Sequence, residues 1–207
     1  MNLFSNLIGK QTLLPIIQAN SVPQGLEIAK AMSTADINLV EVVLRTEASL
    51  DIIKAIKRAL PDLKVGAGTV VDADILKQAL DAGSDFIITP TISRTLLTHL
   101  SKCTVPVLPG VSNAADILLA KEFGYKELKL FPASLSGGPS FLKAMSSIFS
   151  DMSFCPTGGI NENNQQEYLA LTNVFSVGGT WIAKPDWVEL GQWSKITSAC
   201  RAAQGLN

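Results

Sequence analysis

The fold is best read from the stretch Glu127-Leu128-Lys129-Leu130-Phe131-Pro132, a short apolar run that a lysine interrupts. Runs of this kind are typical of strands that are buried on both faces of a parallel sheet. Lysine is among the residues least often buried without a partner. The stretch therefore predicts a buried strand whose Lys129 is either paired with an opposite charge or used for its amine.

Similar apolar runs alternate with amphipathic segments along the whole chain, which indicates an α/β fold. Strands are predicted over residues 12–18, 38–44, 64–70, 86–90, 105–110, 127–132, 153–159 and 174–180. Helices are predicted over residues 23–32, 48–60, 72–82, 114–123 and 139–149. Eight strands that alternate with helices favour a (β/α)8 TIM barrel, a single domain covering residues 1–207. The alternative, a doubly wound open sheet, lacks its Gly-rich turn after the first strand, where the chain reads Gln18-Ala19-Asn20-Ser21.

Composition narrows the class of protein. With 47% hydrophobic and 17% charged residues, a chain of 207 residues can bury a large core. The net charge is -1 and the basic residues are scattered, so nucleic acid is not an expected partner. The apolar runs are short and no leader pattern begins the chain, which predicts no membrane partner and a cytoplasmic location. With one histidine, His99, and three separated cysteines, no His- or Cys-based metal site is predicted, and a carboxylate-held Mg²⁺ is an open alternative that no motif supports.

Charged residues interrupt two of the predicted strands. Period-two alternation places Glu41, Val43 and Arg45 on one face of the second strand. Lys129 and Phe131 likewise share a face of the sixth strand. A lysine in an apolar site loses the hydration that favours its charged form, and its neutral amine can attack a carbonyl carbon to form a Schiff base. The alternative is a structural ion pair between Glu41 and Lys129, with Arg45 exposed.

Small residues are concentrated in three places. The third strand contains Gly66 and Gly68, which are expected to leave open space where a ligand can approach the backbone. Two glycine pairs, predicted to lie in the loops after the seventh and eighth strands, are Gly158-Gly159 and Gly178-Gly179. Loops at those positions commonly bind phosphate in barrels, so the pairs predict a phosphate site.

In these motifs the chain resembles the bacterial class I aldolases that cleave 2-keto-3-deoxy-6-phosphogluconate (KDPG) and 4-hydroxy-2-oxoglutarate. The similarity runs from about the first strand to the last helix. The matching stretches are Val40-Glu41-Val42-Val43-Leu44-Arg45-Thr46-Glu47, Val65-Gly66-Ala67-Gly68-Thr69-Val70, Leu128-Lys129-Leu130-Phe131-Pro132-Ala133, Phe154-Cys155-Pro156-Thr157-Gly158-Gly159-Ile160 and Gly178-Gly179-Thr180-Trp181.

The resemblance implies an activity and a set of site residues. Lys129 is the expected Schiff-base lysine and Glu41 the general acid and base, while Arg45 with Thr69 binds the pyruvate end. The remaining substrate-binding residues are expected to be Pro90, Phe131, Gly158, Gly159, Gly178, Gly179 and Thr180. The chain departs from the family pattern at Thr91, where the family often has Gly, and at Thr180, where it often has Ser.

The implied reaction is the reversible cleavage of KDPG to pyruvate and glyceraldehyde 3-phosphate, or of 4-hydroxy-2-oxoglutarate to pyruvate and glyoxylate. It implies no cofactor, small-molecule keto acid and phosphosugar acid substrates, and a homotrimer. Two alternatives stay open at this point. One is a sugar-phosphate isomerase or epimerase with Glu41 as carbon base, and the other is a non-catalytic barrel that binds phosphorylated ligands.

Overall fold

The computed structural model describes residues 3–205, in which strands and helices alternate. The strands are β1 (Leu13–Ile17), β2 (Leu39–Val43), β3 (Lys64–Gly68), β4 (Phe86–Ile88), β5 (Val107–Leu108), β6 (Gly110–Val111), β7 (Glu127–Leu130), β8 (Ser153–Phe154) and β9 (Val177–Gly179). The helices are α1 (Phe4–Ile8), α2 (Val22–Ser33), α3 (Ser49–Ala59), α4 (Ala73–Asp81), α5 (Arg94–Leu100), α6 (Ala114–Glu122), α7 (Gly138–Ile148), α8 (Gln165–Leu169), α9 (Pro185–Glu189) and α10 (Trp193–Ala203).

The helices agree with the amphipathic pattern where they are long. All five predicted helices overlap observed ones, namely α2, α3, α4, α6 and α7. The pattern does not predict the five-residue helices α1, α8 and α9, because so few turns do not establish a hydrophobic period. No helix between residues 3 and 205 is both long and apolar enough to cross a membrane.

The predicted fifth strand is divided between two sheets. Six strands form one sheet in the order β5-β4-β3-β2-β1-β9, and three form another in the order β6-β7-β8. Pro109 stands between β5 and β6, and proline has no N–H to donate to a ladder. The prediction of one continuous strand over 105–110 is therefore wrong: β5 pairs with β4, and β6 pairs with β7.

All the strand pairs are parallel. Two isolated parallel bridges, Phe154 with Val174 and Thr157 with Gly178, link the β8 side of the second sheet to the segment that contains β9. The α/β class is confirmed, with parallel strands that form a curled sheet.

Helix α1 covers the N-terminal ends of the strands. The ring of Phe4 meets the ring of Phe86 edge-on, with centroids 5.2 Å apart. The backbone N–H of Ser5 donates to Oε2 of Glu127 over 2.9 Å. The apolar cluster at this end consists of Phe4, Ile8, Leu14, Leu39, Phe86, Ile88, Leu108 and Cys155. Apolar side chains therefore fill most of this end of the strands, and the buried carboxylate of Glu127 is satisfied there by the N–H of Ser5.

Several helices begin at capping side chains just past the C-terminal ends of strands. Ser21, Asp72, Ser93 and Asn113 each accept a hydrogen bond from the backbone N–H three residues later. Such caps satisfy a free N–H of the first helical turn. They keep the connections short, so the residues that follow each strand are held close to the strand end.

Candidate active site

Lys129 and Glu41 form a buried ion pair between the strands. Lys129 lies on β7 and is 4% exposed, and Glu41 lies on β2 and is fully buried. The Nζ atom of Lys129 lies 3.2 Å from Oε1 and 3.5 Å from Oε2 of Glu41. It also lies 5.2 Å from the centroid of the Phe131 ring. The prediction that the amine of Lys129 and the carboxylate of Glu41 lie close together is confirmed. The chemical roles of the two groups stay predictions.

The third strand makes room for this pair. A Cβ atom at Gly68 would clash with the carboxylate of Glu41, and one at Gly66 would clash with the ring of Phe86. The expectation that these glycines leave space for a ligand is therefore wrong, because side chains of the neighbouring strands β2 and β4 fill it. Gly68 allows the Glu41 carboxylate to lie flat against β3.

A cavity of about 180 Å³ opens over Lys129 at the C-terminal ends of the strands. We call it the catalytic cavity, and it is lined by Ile16, Val43, Arg45, Lys129, Phe131, Thr157, Gly158, Gly159, Ile160, Gly179 and Thr180. Seven of the predicted site residues are thus brought together, namely Arg45, Lys129, Phe131, Gly158, Gly159, Gly179 and Thr180. They come from the ends of four different strands, as is usual for sites on parallel α/β scaffolds.

Arg45 and Thr69 meet at the mouth of the catalytic cavity. Arg45 is exposed, and its Nε donates to Oγ1 of Thr69 over 3.3 Å. Thr69 has a φ of 66°, in the left-handed region that a β-branched residue rarely adopts. Backbone strain of this kind is concentrated at functional sites. The strained residue Thr69 therefore holds the guanidinium of Arg45 in position. The other N–H donors of the guanidinium are free to bind an anionic group.

The two glycine pairs differ in conformation. Gly158 and Gly159 form a turn after β8 with φ angles of 95° and 76°, which favour glycine. Gly178 and Gly179 lie within β9, so the prediction of a second loop is wrong at this position. The reason for their small size is packing: a Cβ atom would clash with Thr157 at Gly178 and with the ring of Trp181 at Gly179.

Besides Thr69, three predicted residues lie outside the lining of the cavity. Glu41 is beneath Lys129, and Gly178 packs behind Thr157. Pro90 is half-buried, and its backbone lies against Gly110, which pairs with Lys129 across the strands. A substrate contact of Pro90 stays a prediction.

The sequence analysis missed Thr157, which is 3% exposed and lines the cavity beside Gly158. The sequence feature that could have identified Thr157 is its position directly before the glycine pair Gly158-Gly159. Ile16, Val43 and Ile160 also line the cavity, and no chemical feature of their side chains distinguishes them from core residues.

Two buried groups near the ion pair carry no charge. Cys155 is fully buried, and burial raises the pKa of its thiol to about 12, so the thiol stays protonated. Thr89, also fully buried, accepts a hydrogen bond from the N–H of Gly110. His99 lies on α5 and is not part of the lining. Within residues 3–205 there is no group of three His, Cys, Asp or Glu side chains that could hold a metal ion.

This arrangement supports carbonyl chemistry at the amine. A buried amine has few waters to compete for it, and a carboxylate at 3.2 Å can take or return a proton. The guanidinium at the mouth can hold an anionic group of the same molecule.

Comparison with known proteins agrees with this chemistry. The model of the family described as KDPG and KHG aldolase matches residues 4–199. The 2-dehydro-3-deoxy-phosphogluconate aldolase of Pseudoalteromonas atlantica is 41% identical over 191 residues, 92% of this chain and 89% of that protein. The KHG/KDPG aldolase of Escherichia coli (strain K12) is 38% identical over 191 residues, 92% of this chain and 90% of that protein.

Among solved structures, the chain is similar to the KDPG aldolase of Legionella pneumophila with pyruvate captured at low pH as a covalent carbinolamine intermediate. The two have a TM-score of 0.92 and 36% sequence identity, over 95% of this chain and 96% of that chain.

Proposed function

Because the chain belongs to the family of KDPG and KHG aldolases, we propose that it is a class I aldolase acting on KDPG and on 4-hydroxy-2-oxoglutarate. The products are pyruvate with glyceraldehyde 3-phosphate or with glyoxylate. The observation that carries the proposal is the buried Lys129–Glu41 pair at the base of the catalytic cavity. The relatives support a carbon–carbon lyase rather than an isomerase or a non-catalytic barrel.

Lys129 is the nucleophile in the proposed mechanism. Its neutral Nζ attacks the C2 ketone of the substrate, and the carbinolamine that forms loses water to give an iminium. The iminium withdraws electrons from the bond between C3 and C4. Among residues 3–205, Lys129 is the one lysine that lines the catalytic cavity, which supports this assignment.

Glu41 is the general acid and base. Through a water molecule, it moves protons during carbinolamine formation and takes the proton of the C4 hydroxyl as the C3–C4 bond breaks. The aldehyde leaves, and the electron pair of the broken bond forms an enamine. Protonation of that enamine and hydrolysis of the iminium release pyruvate and restore the amine.

Arg45 and Thr69 bind the carboxylate of the substrate, and the glycine pairs with Thr180 bind the phosphate. A guanidinium makes charge-assisted hydrogen bonds to a carboxylate and fixes the ketone relative to the amine. In the described part of the chain, the N–H groups of Gly159 and Ile160 donate to no protein acceptor, so they are available to an anion.

The rest of the proposal concerns architecture. The two sheets close into one eight-stranded barrel in which β5 and β6 count as one strand, and residues 1–207 are one domain. This is supported by the bridge between Thr157 and Gly178 on one side and by the single residue Pro109 that separates β5 from β6 on the other. The family resemblance supports a cytoplasmic homotrimer whose partners are small-molecule keto acids and phosphosugar acids.

The purified protein is expected to release one pyruvate for each KDPG or 4-hydroxy-2-oxoglutarate that it consumes. Pyruvate from KDPG is measured as NADH oxidation by lactate dehydrogenase, and pyruvate from 4-hydroxy-2-oxoglutarate by chromatography, because lactate dehydrogenase also reduces glyoxylate. EDTA is expected to leave the rate unchanged, because the iminium and not a metal ion withdraws the electrons. The proposal fails if neither keto acid yields pyruvate.

Replacing Gly68 with alanine is expected to lower kcat by about 10²-fold, because the added methyl group displaces the Glu41 carboxylate from Lys129. The effect on KM is expected to be small, since Gly68 does not line the catalytic cavity. Steady-state kinetics on KDPG separates the two parameters.

Gly66→Ala is the matched control, because it adds the same group to the same strand but against Phe86. It is expected to lower the free energy of unfolding by about 1–3 kcal/mol through overpacking, with a much smaller change in kcat. In the Gly68→Ala background, Glu41→Asp shortens the carboxylate and is expected to restore part of kcat. Equal losses of kcat in the two glycine variants would contradict a positioning role for Gly68.

A further inference from the structure

A second cavity, of about 220 Å³, adjoins the catalytic cavity, and apart from Thr180 none of its lining polar side chains has a part in the mechanism above. Ile16 and Thr180 line both cavities, so the two lie side by side over the ends of β1 and β9. We call it the side cavity, and its polar wall consists of Gln18, Asn20, Gln24, Thr180 and Glu189.

Three side-chain amides dominate this wall. Gln18 and Asn20 follow β1, and Gln24 lies in the first turn of α2. The backbone N–H of Asn20 donates to Oε1 of Gln24 over 2.9 Å, which fixes that amide at the cavity. Within residues 3–205, the side-chain NH2 of Gln24 and the side chains of Gln18 and Asn20 have no hydrogen-bond partner. The side cavity therefore offers both donors and acceptors to a ligand.

The charge of the wall selects the kind of ligand. Among the described residues, no Lys or Arg lines the side cavity, and Glu189 is its one charged side chain. Phosphate and carboxylate groups only accept hydrogen bonds and are repelled by a carboxylate. Hydroxyl groups donate and accept, as amides do. The chemistry of the wall thus matches an uncharged, polyhydroxylated chain.

We propose that the side cavity binds the polyhydroxylated chain of an unphosphorylated aldehyde that the enzyme adds to pyruvate. This inference rests on the proposed aldolase function. The aldehyde carbon lies at the enamine on Lys129, and the hydroxylated chain passes Thr180 into the side cavity. By contrast, the phosphate of glyceraldehyde 3-phosphate lies at the glycine pairs.

The addition is the reverse of cleavage and needs no further reactant. A carbon–carbon bond forms between the methyl carbon of pyruvate and the aldehyde carbon. The aldehyde oxygen takes the proton that the methyl group lost, and water releases the product from the lysine. The product is a 4-hydroxy-2-oxo acid with an uncharged polyol chain.

The test compares D-erythrose with glyceraldehyde 3-phosphate as acceptors of pyruvate in the full-length enzyme. The measured quantity is the ratio of kcat/KM for D-erythrose to that for glyceraldehyde 3-phosphate. In the double variant Gln18→Leu with Asn20→Leu this ratio is expected to fall about tenfold, because hydrogen bonds are lost while volume is kept. An unchanged ratio overturns the inference.

A second variant tests the charge of the wall independently. Glu189→Lys is expected to raise kcat/KM for D-erythrose 4-phosphate relative to D-erythrose about tenfold, because a cation replaces an anion beside the end of the bound chain. Glu167→Lys on α8, outside the lining of both cavities, makes the same charge change and is expected to leave this ratio as it is. Equal ratios in the two lysine variants overturn the inference.

The wild-type enzyme separates this inference from the proposed function. If it adds pyruvate to glyceraldehyde 3-phosphate and not to D-erythrose, the inference is overturned and the aldolase function stands. If it uses neither aldehyde and does not cleave KDPG, the proposed function fails and the inference fails with it.

Discussion

Replacing Lys129 with alanine is expected to lower kcat on KDPG by on the order of 10⁵-fold or more, because no iminium can form without the amine. Arg45, Gly158, Gly159 and Gly179 still line the cavity, so substrate binding is expected to persist. Activity is measured as pyruvate release, and binding as quenching of tryptophan fluorescence or by calorimetry.

Trapping of the iminium identifies the nucleophilic lysine directly. Borohydride added to the wild-type enzyme with pyruvate is expected to reduce the iminium and leave a stable adduct on the peptide that contains Lys129. Mass spectrometry of the digested protein locates the adduct. An adduct on another lysine, together with normal turnover in Lys129→Ala, would contradict the assigned nucleophile.

The variant also needs a control for folding. Removing Lys129 leaves the carboxylate of Glu41 buried without its partner, which typically costs about 3–5 kcal/mol. The double variant Lys129→Met with Glu41→Gln removes both charges and is expected to be closer to the wild type in thermal unfolding. It should be as inactive as Lys129→Ala, which separates lost chemistry from lost stability.

The strands were predictable because burial on both faces leaves a continuous apolar run, as in β4 (Phe86–Ile88). Their ends were less predictable. The predicted strand over 153–159 is β8 of only two residues, and Pro156 lies just beyond it without an N–H for the ladder. Pro109 divides the fifth strand for the same reason. In both places backbone hydrogen bonds to β7 continue without regular strand geometry: the carbonyl of Pro109 accepts from the N–H of Lys129, and the N–H of Thr157 donates to the carbonyl of Leu130.

The meeting of Lys129 with Glu41 was predictable in two steps. Period-two alternation assigns each side chain to one face of its own strand, and the predicted barrel directs both of those faces to its interior. The side chains that fill the space beside a glycine were not predictable. A small residue shows only that a side chain is missing, and the occupants of the space at Gly66 and Gly68 come from other strands. Thr157 was missed because a threonine in a strand pattern is common and carries no chemical signal of its own.

Replacing Glu41 with glutamine is expected to lower kcat by about 10²- to 10⁴-fold, the range for loss of a general acid and base. Glutamine keeps the size of the side chain and can still accept a hydrogen bond from Lys129, but it cannot move a proton. Pyruvate release from KDPG gives the overall rate. Exchange of the methyl protons of pyruvate in D₂O, followed by NMR, gives the rate of enamine formation alone.

Both rates are expected to fall in Glu41→Gln, because proton transfer occurs in carbinolamine formation and in enamine formation. Glu127→Gln is the matched control: Glu127 is also a buried glutamate, 7% exposed, but it accepts from the N–H of Ser5 at the opposite end of the strands. Its kcat and its exchange rate are expected to remain near those of the wild type. If Glu41→Gln lowers only the free energy of unfolding and leaves both rates intact, Glu41 is the structural partner of Lys129 and another group moves the proton.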